Sequence, residues 1–423
     1  MNLGRDWSPW LALVVFLAGF LSFLGHNGHI LDVMLAHNSD PRGYYQYLPA
    51  IFLDHDLRGM PYVHVLPNGN HLSMFNIGLA YLLAPFFLAA HGLCMAGLAP
   101  ADGYPWPYAV AVGLAASTYA AWGCTLVARP LGKRFGTLNA SLAVLLLFAC
   151  TNLYFYTAME PGMSHVYSFF LFTVLQWATL RMREAPKGRT LVLLAVTWSV
   201  IVLVRPSNGI AGLFPLLYGT TGPRGVRERL ASWVADWRAL ALAVFLGLLP
   251  WIPQLLYWRS ITGSPIVFTY GTMGQGFHWL YPRLWEVLAH PWNGWFLYSP
   301  IMLPVMAALL WMAFRRTEGA RTVLLLWLLA WYIIASWWCW WLGGAFGHRG
   351  FVEYMAFLAL PTAWLVQRMA WRKQAARAAA WVLALLFAWA NIGLSWNYLS
   401  PWDGPEWTMQ SVQREYLRLL PHR

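Results

Sequence analysis

Apolar runs of about 17–25 residues recur along the whole chain, separated by short polar stretches. That spacing is the pattern of membrane-spanning helices, not of alternating half-buried strands. The first run covers roughly 9–24 and continues for a turn or two. It follows one basic residue, Arg5, and its first break, Gly25-His26-Asn27, holds no small-residue cleavage site, so a retained helix is expected. A polar segment rich in Asp, His, Pro and Gly follows at 26–72. Further runs lie at 73–93, 106–128, 137–152, 164–181, 190–204, 207–219, 239–257, 297–314, 321–338, 350–367 and 378–396. Of these, 190–204 and 207–219 are short for a full crossing.

Charge orients the runs. Basic residues cluster in short linkers: Arg129, Lys133, Arg134; Arg181, Arg183, Lys187, Arg189; Arg224, Arg227, Arg229; Arg315, Arg316, Arg321; Arg368, Arg372, Lys373, Arg377. This is the positive-inside pattern, and it places 1–7 on the cytoplasmic side. The segment 101–105 has no basic residue, whereas 129–134 reads as inside, and a single run separates them. Both flanks of 73–93 are therefore outside, which makes that run a re-entrant or interfacial helix. The expected fold is all-α: a polytopic transmembrane helical bundle of about eleven crossings. It carries juxtamembrane helices in the first external loop, spans 1–396 as one domain, and ends in an external tail at 397–423. On this map 19 Lys/Arg lie inside and 9 outside, while the acids divide 5 to 11. Trp and Tyr crowd the edges of the external segments, as membrane-interface belts do.

Composition agrees. The chain is 59% hydrophobic and 10% charged, against about 25% charged in a soluble domain. The net charge of +12 sits in the linkers, not on one face, so the partner it implies is a lipid bilayer and not a nucleic acid. Cys94, Cys124, Cys150 and Cys339 are scattered in or beside apolar runs and match neither a zinc pattern nor a disulfide framework. There is no Walker loop, no GxGxxG before a helix and no HExxH, which argues against an ATP-driven pump.

Chemistry-bearing residues gather in five external places. Asp40 opens the stretch Asp40-Pro41-Arg42-Gly43-Tyr44-Tyr45-Gln46-Tyr47-Leu48-Pro49. An Asp against a membrane-facing aromatic surface can act as a base, and an Asp before Pro also reads as a helix cap. Asp54-His55-Asp56, with Arg58 and His64, reads as a cation or proton-relay site or as a solvated helix end. Glu160 and His165 bracket the Pro161-Gly162 turn at the mouth of two helices, either meeting a substrate together or serving as a loop acid and a first-turn His. Arg205-Pro206-Ser207-Asn208 sets an arginine between two apolar runs, which suits a phosphate ligand or snorkelling to headgroups. Gly343-Gly344-Ala345-Phe346-Gly347-His348-Arg349 permits close backbone approach and adds donors, with Glu353 opening the next helix. Glu353 at a helix start is also ordinary dipole complementation.

Four of these features together resemble the GT-C glycosyltransferases. In particular they resemble the bacterial group related to the dolichyl-phosphate-mannose protein mannosyltransferases and to the polyprenyl-phosphate-dependent lipopolysaccharide glycosyltransferases. The features are Asp40 with Tyr44-Tyr45-Gln46-Tyr47-Leu48-Pro49, the 160–165 turn, Arg205-Pro206-Ser207-Asn208, and Phe346-Gly347-His348-Arg349. The order of helices and loops is similar over roughly 1–396. The family's juxtamembrane helices fit the reading of 73–93. Many relatives carry a paired Asp-Glu or Asp-Asp in the first loop, whereas Pro41 follows Asp40 here, which puts an inherited metal site in doubt.

The resemblance implies sugar transfer from a polyprenyl-phosphate donor to a glycan, lipid or protein acceptor, on the periplasmic face of the bacterial inner membrane. The implied catalytic residues are Asp40 as base, Glu160 and His165. Arg205, His348 and Arg349 would bind the donor phosphate, and Tyr44, Tyr45, Tyr47 and Glu353 the substrates. No cofactor is required by this reading, and a divalent cation stays open. The rival readings are a transporter or flippase of a lipid-linked or anionic substrate, an O-antigen ligase or polymerase, and a non-catalytic assembly subunit. A transporter would hold its polar residues near the midplane on broken helices.

Overall fold

The computed structural model describes residues 6–420 except 38 and 371. The expected placement of 1–5, and of the last three residues of the tail, lies outside the described residues. Among the described residues the regular structure is helical apart from a two-stranded ribbon and an isolated bridge between Phe277 and Trp337. The first helix is α1 (Ser8–Asn27), followed by two short helices, α2 (Asp40–Tyr45) and α3 (Tyr47–Phe52). The ribbon comes next, with His64 opposite Leu72 and Val65 opposite His71. Then follow α4 (Gly78–Met95), α5 (Trp106–Phe135), α6 (Thr137–Ala149), α7 (Asn152–Ala158), α8 (His165–Glu184) and α9 (Gly188–Val204). A 3₁₀ stretch, Pro206–Gly212, leads into the single turn α10 (Leu213–Leu217). Further on come α11 (Trp237–Leu248) and α12 (Ile252–Thr262), which run together, and α13 (Met302–Phe314). The last four are α14 (Ala320–Ser336), α15 (Met355–Ala370), α16 (Gln374–Asn397) and α17 (Met409–Arg418).

Among the described residues, α1, α4, α5, the α11–α12 rod and α16 are long and apolar enough to cross a membrane. The pair α6–α7, bent by 70°, makes a sixth, and α9, α13 and α14 are shorter apolar helices. These helices mark a membrane protein. The eleven crossings expected are thus not all single long helices.

Helix α5 is the core of the bundle. Two thirds of its apolar window (67%) is buried, against 17% for the α11–α12 rod, which faces outward. Its Ala- and Gly-rich sequence explains this, because small residues let neighbouring backbones approach. A Cβ at Gly113 would lie 2.3 Å from Phe23 of α1, and one at Gly123 would lie 2.7 Å from Phe169 of α8.

The bundle has two chemically different ends. At one, Lys133 and Arg181 pair with Glu184, and Arg183 pairs with Glu318. At the other, Arg349 pairs with Asp40 and Arg205 with Glu353. Every ion pair among the described residues joins groups that the charge map assigned to the same side.

The short run at 207–219 is not an α-helical crossing, yet it links the two ends. Arg205 contacts His165 at the start of α8, while Tyr218 lies under Arg183 near the end of α8. The intervening turns of α8 rise about 27 Å at 1.5 Å per residue. The 206–218 segment, seven 3₁₀ residues and then one α turn, rises about 21 Å, and the long side chains of Arg205 and Arg183 reach across the remainder.

The contacts of α4 are lopsided. Gly78 packs on the backbone of Leu203 and Val204, the last residues of α9, and Ile77 N donates to Gln254. At the other end of α4, His91 bonds to Tyr108, in the first turn of α5, at 2.8 Å. Both its termini therefore touch elements near the Asp40 end.

Candidate functional site

Three loops and a short helix converge at that end. Asp40 begins α2, but its carboxylate does not cap the helix. Instead its Oδ2 accepts from Arg349 Nη2 at 3.2 Å. The α6–α7 bend delivers the second loop. Asn27 at the end of α1 donates to the carbonyls of Ala158 and Met159, each at 3.2 Å, and so holds the turn that carries Glu160. Gly162 in this turn abuts Pro41, where a Cβ would sit 2.7 Å from the ring, so the turn and the start of α2 close together only with glycine there.

The third loop, 343–349, brings Arg349. Gly344 and Gly347 adopt positive φ (69° and 59°), which glycine tolerates without strain. Four bonds fix its course. Gly344 N donates to Asp403 Oδ2 at 2.8 Å, and Phe346 N to Tyr156 OH at 3.2 Å. Asn152 Nδ2 donates to Phe346 O at 3.3 Å, and His348 Nε2 to Trp340 O at 2.7 Å. Burial also holds His348 down to about 4, so it is neutral at pH 7.

Beneath the Asp40–Arg349 pair lies a second, drier layer. Glu353 is fully buried and accepts from His165 Nδ1 at 3.2 Å and from Asn208 Nδ2 at 3.1 Å, with Arg205 Nε 3.4 Å away. Arg205 Nη1 also donates to His165 Nε2 at 3.2 Å and to Ser164 Oγ at 3.3 Å, and Ser164 in turn bonds to Tyr44 OH at 3.2 Å. This order assigns the histidine tautomer: the proton is on Nδ1, facing the carboxylate, and Nε2 accepts from the guanidinium. His165 is therefore neutral and bridges Arg205 to Glu353.

The layers differ in access. The side chains of Asp40, Arg205 and Arg349 keep 37%, 20% and 13% of their surface, whereas Glu353 and His165 keep none. Glu160 stands in the 159–164 turn, and its carboxyl has no hydrogen bond among the described residues. Burial pushes its carboxyl up to about 7; Arg349 opposes that rise and Asp40 adds to it. The crevice thus presents two arginines, one carboxylate and one carboxyl that is half-protonated near neutrality.

Sequence candidates divide accordingly. Asp40, Tyr44, Glu160, His165, Arg205, Arg349 and Glu353 come together. His348 is turned inward as a brace for its loop. Tyr45 bonds to the Gly103 carbonyl and Tyr47 to the Phe75 carbonyl, and both rings are buried in packing. Asp54, His55 and Asp56 lie apart at an exposed loop, where Asp56 accepts from Arg58 N and His55 Nδ1 donates to the Ile51 carbonyl. Among the described residues no three His, Cys, Asp or Glu side chains gather to hold a metal ion.

Four participants escaped sequence reasoning as site residues: Tyr156, Ser164, Asn208 and Tyr270. Ser164 and Asn208 stand inside motifs already singled out, so their neighbours carried the signal. Tyr270, whose hydroxyl feels the charges of Asp40, Arg205 and Arg349, comes from a distant glycine-rich loop with no motif of its own.

No protein-family model matches this chain, and no curated protein matches it.

Proposed function

We propose that this chain is a membrane glycosyltransferase. It moves a sugar from a polyprenyl-phosphate donor to an acceptor hydroxyl, with the crevice on the periplasmic face of a bacterial inner membrane. The observation that carries the reading is the half-open Asp40–Arg349 pair at 3.2 Å, set beside Arg205 at one end of an apolar helical bundle. The carboxylate and the guanidinium match the two needs of the reaction, a base for the acceptor and a positive partner for the departing phosphate.

The donor phosphodiester carries one negative charge and competes with Asp40 for Arg349. Its arrival draws the guanidinium away and frees the carboxylate to face the acceptor. The acceptor oxygen attacks the anomeric carbon, its proton passes to Asp40, and the bond from the anomeric carbon to the phosphate oxygen breaks. The electron pair leaves with the polyprenyl phosphate, whose added charge Arg349 and Arg205 hold. The buried layer of Glu353, His165 and Asn208 orients Arg205. Glu160, near half-ionised, meets the acceptor as a hydrogen-bond donor or acceptor. A transporter reading has less support, since the polar groups cluster at one end of the bundle and not at its midplane.

The test is sugar transfer by the purified protein in detergent, against a panel of polyprenyl-phosphate sugars, with Asp40→Asn beside it. Transfer from one donor that Asp40→Asn abolishes, at unchanged yield and melting temperature, supports the reading. Absence of both transfer and donor hydrolysis from a folded protein overturns it.

A further inference from the structure

The loop between α12 and α13 carries an unusual turn. Leu280 and Tyr281 at its tip are 85% and 79% exposed, Trp285 just beyond is 73% exposed, and Trp279 is also exposed. The turn is nevertheless firmly attached. His278 N donates to Ser336 O at 2.6 Å, Arg283 N to Ala335 O at 2.8 Å, and Trp338 N to Gly276 O at 3.0 Å. These bonds seat the turn on the last residues of α14. The Trp279 ring then stacks on Tyr332 at 5.9 Å, and the Tyr332 hydroxyl donates to the Trp279 carbonyl at 2.6 Å.

Tyr332 sets the depth. It lies four residues, or about 6 Å, inside the end of α14. It is also the last member of an exposed stripe, Leu325, Leu328 and Tyr332, spaced so that all three share one face of this apolar helix. In a membrane protein that face meets lipid. Trp279, stacked on Tyr332, prolongs the stripe, with exposed Leu280 next to it, and an amphipathic ring beside an apolar residue suits the headgroup boundary.

We infer that the 279–281 turn is a wedge inserted into the leaflet at the Asp40 end of the bundle. It tethers to the bilayer the same loop that brings Tyr270 to the crevice. Tyr270 packs edge-on against Trp337 at 5.4 Å, and Phe277, stacked on Trp279, packs on the same tryptophan at 4.8 Å, so Trp337 links Tyr270 to the wedge. The occupant is lipid, because the patch continues a lipid-facing stripe.

The experiment measures immersion and needs no turnover, so its outcome is separate from the glycosyl-transfer reading. A nitroxide is attached to Leu280→Cys in a Cys339→Ser background, since the other three cysteines are buried. The protein is reconstituted in phosphatidylcholine–phosphatidylglycerol vesicles. Relaxation by oxygen is compared with relaxation by an aqueous nickel chelate, using Leu328→Cys as the lipid standard and Asn68→Cys, at the exposed ribbon turn, as the aqueous one. The oxygen-to-nickel ratio at 280 is expected below that at the deeper 328 and several-fold above that at 68. A ratio equal to that at 68 overturns the inference. So does protection from both reagents, or dipolar broadening between labels, which would mean a protein partner or a second copy.

Discussion

Replacing Glu353 by Gln tests the buried layer with almost no change in shape. The carboxylate has three donors facing it, from His165, Asn208 and Arg205. A glutamine keeps one acceptor oxygen and turns an NH₂ toward a donor. His165 cannot relieve the conflict, because a proton moved to Nε2 would face Arg205 Nη1 at 3.2 Å. Removing one partner of a buried ion pair costs about 3–5 kcal/mol. Arg205 keeps some solvent contact, so screening takes the loss just below that range, to about 2–3 kcal/mol. For a chain of this length that lowers the melting temperature by about 2–3 °C. The assay is a thermal melt in detergent, with Arg205→Met added to Glu353→Gln. Removing both charges should recover part of the loss. A Glu353→Gln melt within about 1 °C of the parent would refute the reasoning, since the carboxylate would then not be the counter-ion of Arg205.

Other outcomes follow from the same geometry. Glu160 has a folded-state pKa raised to about 7, so between its ordinary value near 4.5 and about 7 the folded state holds a proton that the unfolded state has lost. Stability from this group is therefore present at low pH and falls as pH rises through that window; the melting temperature of Glu160→Gln minus that of the parent should rise over it and level off above. Gly78→Ala would set a Cβ 2.6 Å from the backbone of Leu203 and Val204, which should cost about 1–3 kcal/mol and show as a lower melting temperature. Asp403→Ala removes the acceptor for Gly344 N; if the tail positions Arg349, donor KM should rise severalfold with kcat less affected, and Asp403→Asn should restore part of it.

Much of the architecture was legible because hydropathy and charge act through simple rules. The apolar runs marked the helices, and the split of charges foretold which residues could pair. The 207–219 run, short for an α-helical crossing, is instead a 3₁₀ stretch followed by one α turn, a mixture that hydropathy alone does not reveal. At the site, Asp40, Glu160, Arg205 and Arg349 were visible as polar residues at the mouths of apolar runs. Their pairing was not. The sequence offers both arginines equally to a phosphate, and only the fold gives one to Asp40 and the other to Glu353. The bond from His348 to the Trp340 carbonyl was hidden for a related reason, since a donor beside a glycine loop serves a ligand or its own loop equally well in sequence. Tyr270 was invisible because nothing local distinguishes it from the interfacial aromatics around it.

The most direct test of the central claim is acceptor-dependent release of polyprenyl phosphate in a single turnover, parent against Asp40→Asn, with donor binding measured on both. The account predicts release only with acceptor present, loss of at least a hundredfold in rate for Asp40→Asn, and donor affinity that is kept or strengthened because Arg349 is no longer shared. Release at the parental rate in Asp40→Asn would contradict it.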